Sequence, residues 1–467
     1  MIRYIFLFNN FVIQSTFNLF IMKIEMVSSQ QFNSRTNLMV KSIIIFFLVI
    51  ILFALTNAIS GLVYERSQNK NKIGNEIASS WGQEQTITGP IIAIPYHKMD
   101  QKGINSINGF LYLMPDQLNI SGQMDPEIRS RGIYQALLYK SSLNFKSTFN
   151  IKNKIESKVS SEILDYNKAT VIIGISDLTG IRNPIMLHCN ESQISLVSGT
   201  TCSDVLSSGV SGYLPSIDQK DSIDIHFSID LNGYQSLSCI PVGKNTMINL
   251  QSSWSSPSFF GQFLPQKREI SDKGFNADWQ VLEQNRIFNS AFYDSESKIA
   301  SNGIGVRLIE PVDSYLKNER NIKYALLIIC LCFMCYFFIE IFFKIRIHPI
   351  QYFLIGAALT IFYLLILSMS EHIGFNLSYF ISSAVTIFII VYYSHSFLKR
   401  IRIALIISGI LSLLFGYIFI ILQLEDYALI AGSIGLFIIL AIIMMVTRRI
   451  NYYDYEAEKI SNEAKEI

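Results

Sequence analysis

Charge is scarce in this chain. Only 16% of its 467 residues are Asp, Glu, Lys or Arg, where a water-soluble domain carries about 25%. The deficit excludes an ordinary soluble globule along the whole length. Cysteine is sparse too, with six in all, and no C-x-x-C pair recurs to hold zinc. The net charge of +2 comes without any long basic block, which excludes a surface that tracks a nucleic-acid backbone. H-E-x-x-H, P-loop and dinucleotide-binding patterns are all missing, and with them the chemistry they carry. No cofactor and no metal is implied.

What the chain does have is long apolar runs. "IIIFFLVIILFALTNAISGLV" at 43–63 meets the requirement of about 20 apolar residues for a spanning helix. It is too long for a signal-peptide core and reads as an uncleaved anchor. Five more candidate spans begin at residues 323, 351, 377, 403 and 427. One set of their ends carries Lys344, Arg346, Lys399, Arg400, Arg402, Arg448 and Arg449, while the opposite turns, "EHIGFN" and "QLEDY", have no Lys or Arg. Cationic ends stay in the cytoplasm. The expected order is therefore a poorly ordered cytoplasmic extension (1–40), an anchor (41–63), a periplasmic domain (64–320), a five-helix bundle (321–447) and a cytoplasmic tail (448–467). Residues 1–36 are apolar but broken by Asn, Gln, Ser and Thr, with Met22 and Met26 as alternative starts.

The excursion changes texture along its length. Residues 64–88 read as a helical stalk. After them "GPIIAIPYH", "GFLYLMP", "LNISGQM", "TVIIGISD", "IDIHFSIDL", "SLSCIPVG" and "TMINLQSSW" are short, rich in β-branched residues and punctuated by turn formers. These predict antiparallel strands in a sandwich-like unit, with residues 276–300 looser and partly helical. The fold class is α+β: an anchor, a β-rich domain and a helical bundle. Spacing leaves open whether Cys189 and Cys202 pair.

Several blocks carry a resemblance. "GNEIASSWGQEQTITGPIIAIPY" (74–96), "DPEIRSRGIYQALLY" (125–139), "PVGKNTMINLQSSWSSPSFFGQFLP" (241–265), "GFNADWQV" (274–281), "GVRLIEPVDSYLKNERNIKYALLII" (305–329), "IHPIQYFLIGAALTIFYLLILSMSEHIGF" (347–375) and "LEDYALIAGS" (424–433) lie in one order over about residues 60–455. Together they resemble the CreD family of cell envelope integrity inner membrane proteins. The resemblance implies an inner-membrane protein tied to envelope integrity and to envelope-stress or β-lactam responses. It implies no reaction, cofactor or catalytic residue.

Candidate chemistry gathers at the Lys-free ends. Glu371 and His372 share their depth with Glu425 and Asp426, near Ser433. The plain reading is helix caps at the water boundary. The rivals are an ion or transport path using Glu371 and Asp426, and an intramembrane hydrolase, although "AGSIG" is not a nucleophile elbow. Arg129 and Arg131, two apart, share a strand face and either dock onto those acids or face lipid phosphate and water. Glu340 is expected to pair with Lys344 at i,i+4. Ser408, Ser412, Gly416, Ala428 and Gly432 are expected to hold helices together, with a dimer contact as the alternative. The run Trp254, Pro257, Phe259 and Phe260 reads as core, or as a cradle for lipid or glycan. His97, His188 and His226 are dispersed without ligand spacing. The function expected is non-enzymatic, with membrane lipid and a periplasmic glycan or protein as partners; nothing bears on oligomeric state.

Overall fold

The computed structural model describes residues 36–99, 105–156, 163–200, 206–215, 217, 222–286, 289–293, 303–310, 314–343, 345–424 and 427–448. Expectations for residues 1–35, for Cys202, Lys344, Glu425, Asp426 and Arg449, and for the rest of the tail lie outside them. Two compact units emerge. One, the β unit, covers 66–313; the other, the helix unit, combines residues up to Glu65 with those from Ser314 onward.

Helix α1 (Thr36–Trp81) starts in the helix unit and ends in the β unit. It stops at Gly82, whose φ of +137° suits glycine. A Cβ at Gly82 would also meet the Asn232 carbonyl oxygen at 2.6 Å.

Two sheets build the β unit. The eight-stranded sheet runs in the order Lys267–Ser271, Gly274–Leu282, Asn245–Ser252, Gln117–Arg131, Tyr134–Asn150, Ser222–Tyr234, Met186–Cys189, Ser192–Ser195. In the strand Ser222–Tyr234, Ile223, Ile225, Phe227, Ile229 and Leu231 are buried, whereas Ser222, Asp224, His226 and Ser228 are exposed. This two-residue period gives the sheet one packed face and one wet face. The ten-stranded sheet has Gln85–Met99 and Thr170–Ile175 at its centre, and Thr170–Ile175 is buried on both faces. Residues of both sheets share one hydrophobic core, among them Ile87, Ile172, Leu118, Phe145 and Trp279. Phe259 sets its ring edge-on to Phe275 and Trp279 in the same core.

Two expectations need correction. The sheets are mixed: Gln85–Thr88 pairs in parallel with Leu237–Ile240, and Gln117–Met124 in parallel with Asn245–Ser252. Parallel neighbours require a long crossover, and here each joins strands from opposite halves of the segment. Of residues 276–300, expected to be looser and partly helical, Glu283–Asn285 do form a helical turn, but 276–282 are not loose: they belong to the strand Gly274–Leu282, with Phe275, Ala277, Trp279 and Val281 buried. Ala291–Tyr293 is a strand as well, and 294–300 lie outside the described residues.

A short helix, α2 (Ile151–Glu156), supplies the buried Lys154. The Lys154 ammonium lies 2.6 Å from Asp116 Oδ2 and also donates to the Met114 carbonyl. Asn150 N–H donates to the same carboxylate at 2.7 Å, and Lys244 lies 3.3 Å from its other oxygen. Burial pushes the Asp116 carboxyl up, but the hydrogen bonds from Lys154, Asn150 and Lys244 outweigh it and leave it below the ordinary range. Burial pulls the Lys154 ammonium down, and Asp116 restores part of that loss.

The helix unit holds α3 (Ser314–Lys323), α4 (Ala325–Phe343), α5 (Pro349–Ile373), α6 (Phe375–Leu398), α7 (Ile401–Gln423) and α8 (Ala428–Thr447) beside the first part of α1. Among the described residues six helices, α1 and α4 to α8, are long and apolar enough to cross a membrane. Part of the stripe expected to hold helices together faces outward, while Ser408, Ala428 and Gly432 are half-buried. Ser412 and Gly416 are exposed, and a Cβ on Gly416 or Gly432 would meet nothing. Instead, Tyr417 of α7 donates its hydroxyl to the Ala431 carbonyl of α8 at 2.6 Å, and the phenol fills the space above Gly435. A bulky ring needs a hole opposite it, and Gly435 supplies that hole.

Candidate functional site

Glu371 belongs to a polar cluster inside the helix unit, built mostly by α3. That helix is unusual in burying Asn318 and Asn321 together with Tyr315 and Ile322. Tyr315 donates its hydroxyl to Glu371 Oε1 at 3.0 Å. One turn on, the Asn318 amide donates to Ser370 Oγ at 2.8 Å and to its own helix at the Ser314 carbonyl. Lys317 reaches Gln423 at 3.1 Å, and Gln423 in turn donates to Asn376. Asn321 is 1% exposed, and its amide has no hydrogen-bond partner among the described residues.

The candidates named from sequence separate here. Glu371 is in the cluster, half-buried and bonded. His372, the next residue, is exposed; adjacent positions on a helix do not face the same neighbour. Ser433 is exposed and donates its hydroxyl to Ile430 of its own helix. Glu425 and Asp426 lie outside the described residues. Tyr315, Asn318 and Lys317 went unrecognised, although polar residues three apart in "SYLKNERNIK", just before an apolar run, were a readable signal.

A second polar cluster joins α1, α4 and α5. Lys41 pairs with Glu340 Oε1 and also donates to the Ile347 carbonyl, and Tyr352 donates to Glu340 Oε2 at 3.2 Å. The expected local partner, Lys344, lies outside the described residues. Glu340 is held across helices, because its side chain faces the bundle interior, where Lys41 arrives. Tyr352 and Glu371 both lie on α5, separated by ~28 Å at 1.5 Å per residue. That is close to the ~30 Å hydrocarbon thickness of a bilayer. Between the clusters, Thr360 and Ser383 spend their hydroxyls on their own helices, at the Gly356 and Phe380 carbonyls, whereas Tyr379 of α6 donates to the Phe415 carbonyl of α7 at 2.8 Å.

In the β unit, Arg129 and Arg131 grip the end of α1. The Arg129 guanidinium sits 3.7 Å above the Trp81 ring and donates to Glu127 at 2.8 Å. Arg131 pairs with Glu76 at 2.9 Å. Lys140 also bonds Glu127, and the hydrogen bonds from Lys140 and then Arg129 hold that carboxyl below its ordinary range. Beneath them Ala78 packs against Ala136, Leu138 and Tyr234. Gly74 leaves room for the Tyr234 hydroxyl, which lies 2.7 Å from where a Cβ would be. Lys70 closes the grip on Glu310 at 2.6 Å.

Two further features lie on the wet face of the eight-stranded sheet. A shallow cavity of about 360 Å³ is lined by polar groups, among them Gln123, Gln251, Ser253, Glu269, Lys273 and Asn276. His188 and His226, far apart in sequence, are directly paired across neighbouring strands and stack at 4.9 Å. Among the described residues, no group of three or more His, Cys, Asp or Glu is placed to hold a metal ion.

Comparison with known proteins adds a family. Residues 37–453 match the family model described as inner membrane protein CreD. The chain is also 31% identical over 408 residues to the inner membrane protein CreD of Escherichia coli (strain K12), covering 85% of this chain and 90% of that protein.

Proposed function

This chain belongs to the CreD family of inner membrane proteins, and on that premise we propose that it supports the integrity of the cell envelope without catalysing a reaction. Its β unit stands in the periplasm and acts by binding, while the helix unit anchors it. The observation that carries the sidedness is the placement of charge. Arg346, Lys399, Arg400 and Arg448 fall between or after helices at one set of ends, and the Gly374 turn at the other has no Lys or Arg. The polar clusters at Glu340 and Glu371 then lie at the two membrane–water boundaries, where each ties helices together. Arg129 and Arg131 serve the stalk on this reading.

The amide-lined cavity on the eight-stranded sheet favours a glycan as the bound partner, since Gln, Asn and Ser offer paired donors and acceptors to hydroxyls. Two experiments test the proposal. A cysteine placed at exposed Gln193 reacts with a membrane-impermeant maleimide from outside spheroplasts; labelling only in inverted vesicles sinks the sidedness. Cells lacking the protein lose tolerance to β-lactams and detergents; unchanged tolerance sinks the role. The rival reading is ion passage, which rests on Glu371 and its bonded neighbours. It wins if proton or solute flux into liposomes is present and disappears in Glu371→Gln.

A further inference from the structure

We propose that His188 and His226 form a two-imidazole site for a divalent transition-metal ion on the wet face of the eight-stranded sheet. The two residues are in direct register between Met186–Cys189 and Ser222–Tyr234. Their rings lie 4.9 Å apart and 7° from parallel. Among the described residues neither imidazole has a hydrogen-bond partner; His226 is exposed and His188 is half-buried.

The spacing suits one shared ion. An imidazole nitrogen binds zinc at about 2.0–2.1 Å, so two rings on one ion at a bond angle between square and tetrahedral have centroids about 5 Å apart. The observed separation is already there. What remains is rotation about the two side-chain torsions, which turns parallel lone pairs toward a common point. Two neutral nitrogens with water completing the shell suit Cu²⁺, Ni²⁺ or Zn²⁺ rather than Mg²⁺ or Ca²⁺, which take oxygen ligands. The neighbours divide: Lys146 lies opposite His226 and opposes a cation, whereas Asp224, on the same face two residues away, favours one. A bound ion would clip the edge hairpin Met186–Ser195 to the sheet. That hairpin pairs with its neighbour over Leu187–Cys189, and Asn190 adds two hydrogen bonds with the Asp224 backbone.

The test uses the full chain in detergent micelles, without a polyhistidine tag, titrated with Cu²⁺, Ni²⁺ and Zn²⁺ at pH 7.5. The expected result is one equivalent bound, tightest for Cu²⁺, with a copper resonance spectrum showing two nitrogen ligands. Affinity falls at least ~tenfold in His188→Asn and in His226→Asn, as expected when a metal site loses a supporting group, and stays unchanged in His97→Asn. The two-nitrogen copper spectrum of the unaltered chain stands as a readout even if a variant misfolds. No bound copper, a copper spectrum without two nitrogen ligands, or a loss in only one of the two histidine variants would overturn the site.

Discussion

Both units carry a lysine–carboxylate pair shielded from water, and the two pairs are set differently. In the β unit Asp116 has three donors: Lys154, Lys244 and the Asn150 N–H. In the helix unit the donors described for Glu340 are Lys41 and Tyr352. A buried charge pair contributes little over a well-packed apolar substitute, yet removing one partner is costly because the other charge stays behind. The cost depends on what else can satisfy that charge. Asp116 keeps two donors when Lys154 goes. Among the described residues Glu340 keeps one phenol, that of Tyr352, inside a bundle whose outer face is apolar.

The sharpest break of the comparison is Lys41→Leu. It should cost about 3–5 kcal/mol, read as a lower melting temperature in detergent and less accumulated protein. Lys41→Leu combined with Glu340→Leu should recover most of the loss; a neutral single variant would show that the pair holds nothing.

Lys154→Met should cost less, about 2–3 kcal/mol, because only part of the hydrogen bonding to Asp116 is lost. Tryptophan emission during urea unfolding of the full chain measures it cleanly, since Trp81, Trp254 and Trp279 all lie in the β unit. A loss equal to that of Lys41→Leu would erase the contrast between the two settings.

Acid provides the third test. Folded Asp116 and Glu127 hold protons less tightly than the unfolded chain does. Their contribution is therefore full above the ordinary carboxylate pKa of about 4 and is lost as pH falls through the depressed folded values. The urea midpoint should drop between pH 5 and pH 3, and Asp116→Asn should flatten that drop. An unchanged slope in Asp116→Asn would remove it as the source.

The smallest effects belong to the stalk grip. Arg129→Ala should cost about 1 kcal/mol for its stacking on Trp81, with a red shift in emission as the ring meets water. Arg131→Ala should cost about 0.5 kcal/mol or less, since its side chain is 66% exposed and that of Glu76 47%. The reverse order would mean that Arg131 has a partner beyond Glu76.

The strands could be read where one face is wet, because alternation in "IDIHFSIDL" reports the sheet period directly. "TVIIGI" could be read through its β-branched run, though not its burial on both faces. Parallel pairing could not be read, because nothing in Gln85–Thr88 names Leu237–Ile240 as its neighbour. The same limit hid the His188–His226 stack, which register alone creates. At the helix unit, the i,i+4 rule compares a residue only with its own helix, so it cannot name Lys41 of α1 as a partner of Glu340. Glu371 stood out as a charge at the end of an apolar run. Its partner Tyr315 did not, since a tyrosine there looks like an ordinary boundary residue.

Both parallel pairs have a consequence for how the chain matures. The strand at Gln85 waits for Leu237, and the strand at Gln117 waits for Asn245. During synthesis, then, each sheet carries an open edge until residues near 250 have emerged. Such distant pairings fold slowly and leave strand edges available to other chains meanwhile. A nascent chain stalled before that point would be a natural client for a chaperone, and a product truncated there would aggregate rather than fold.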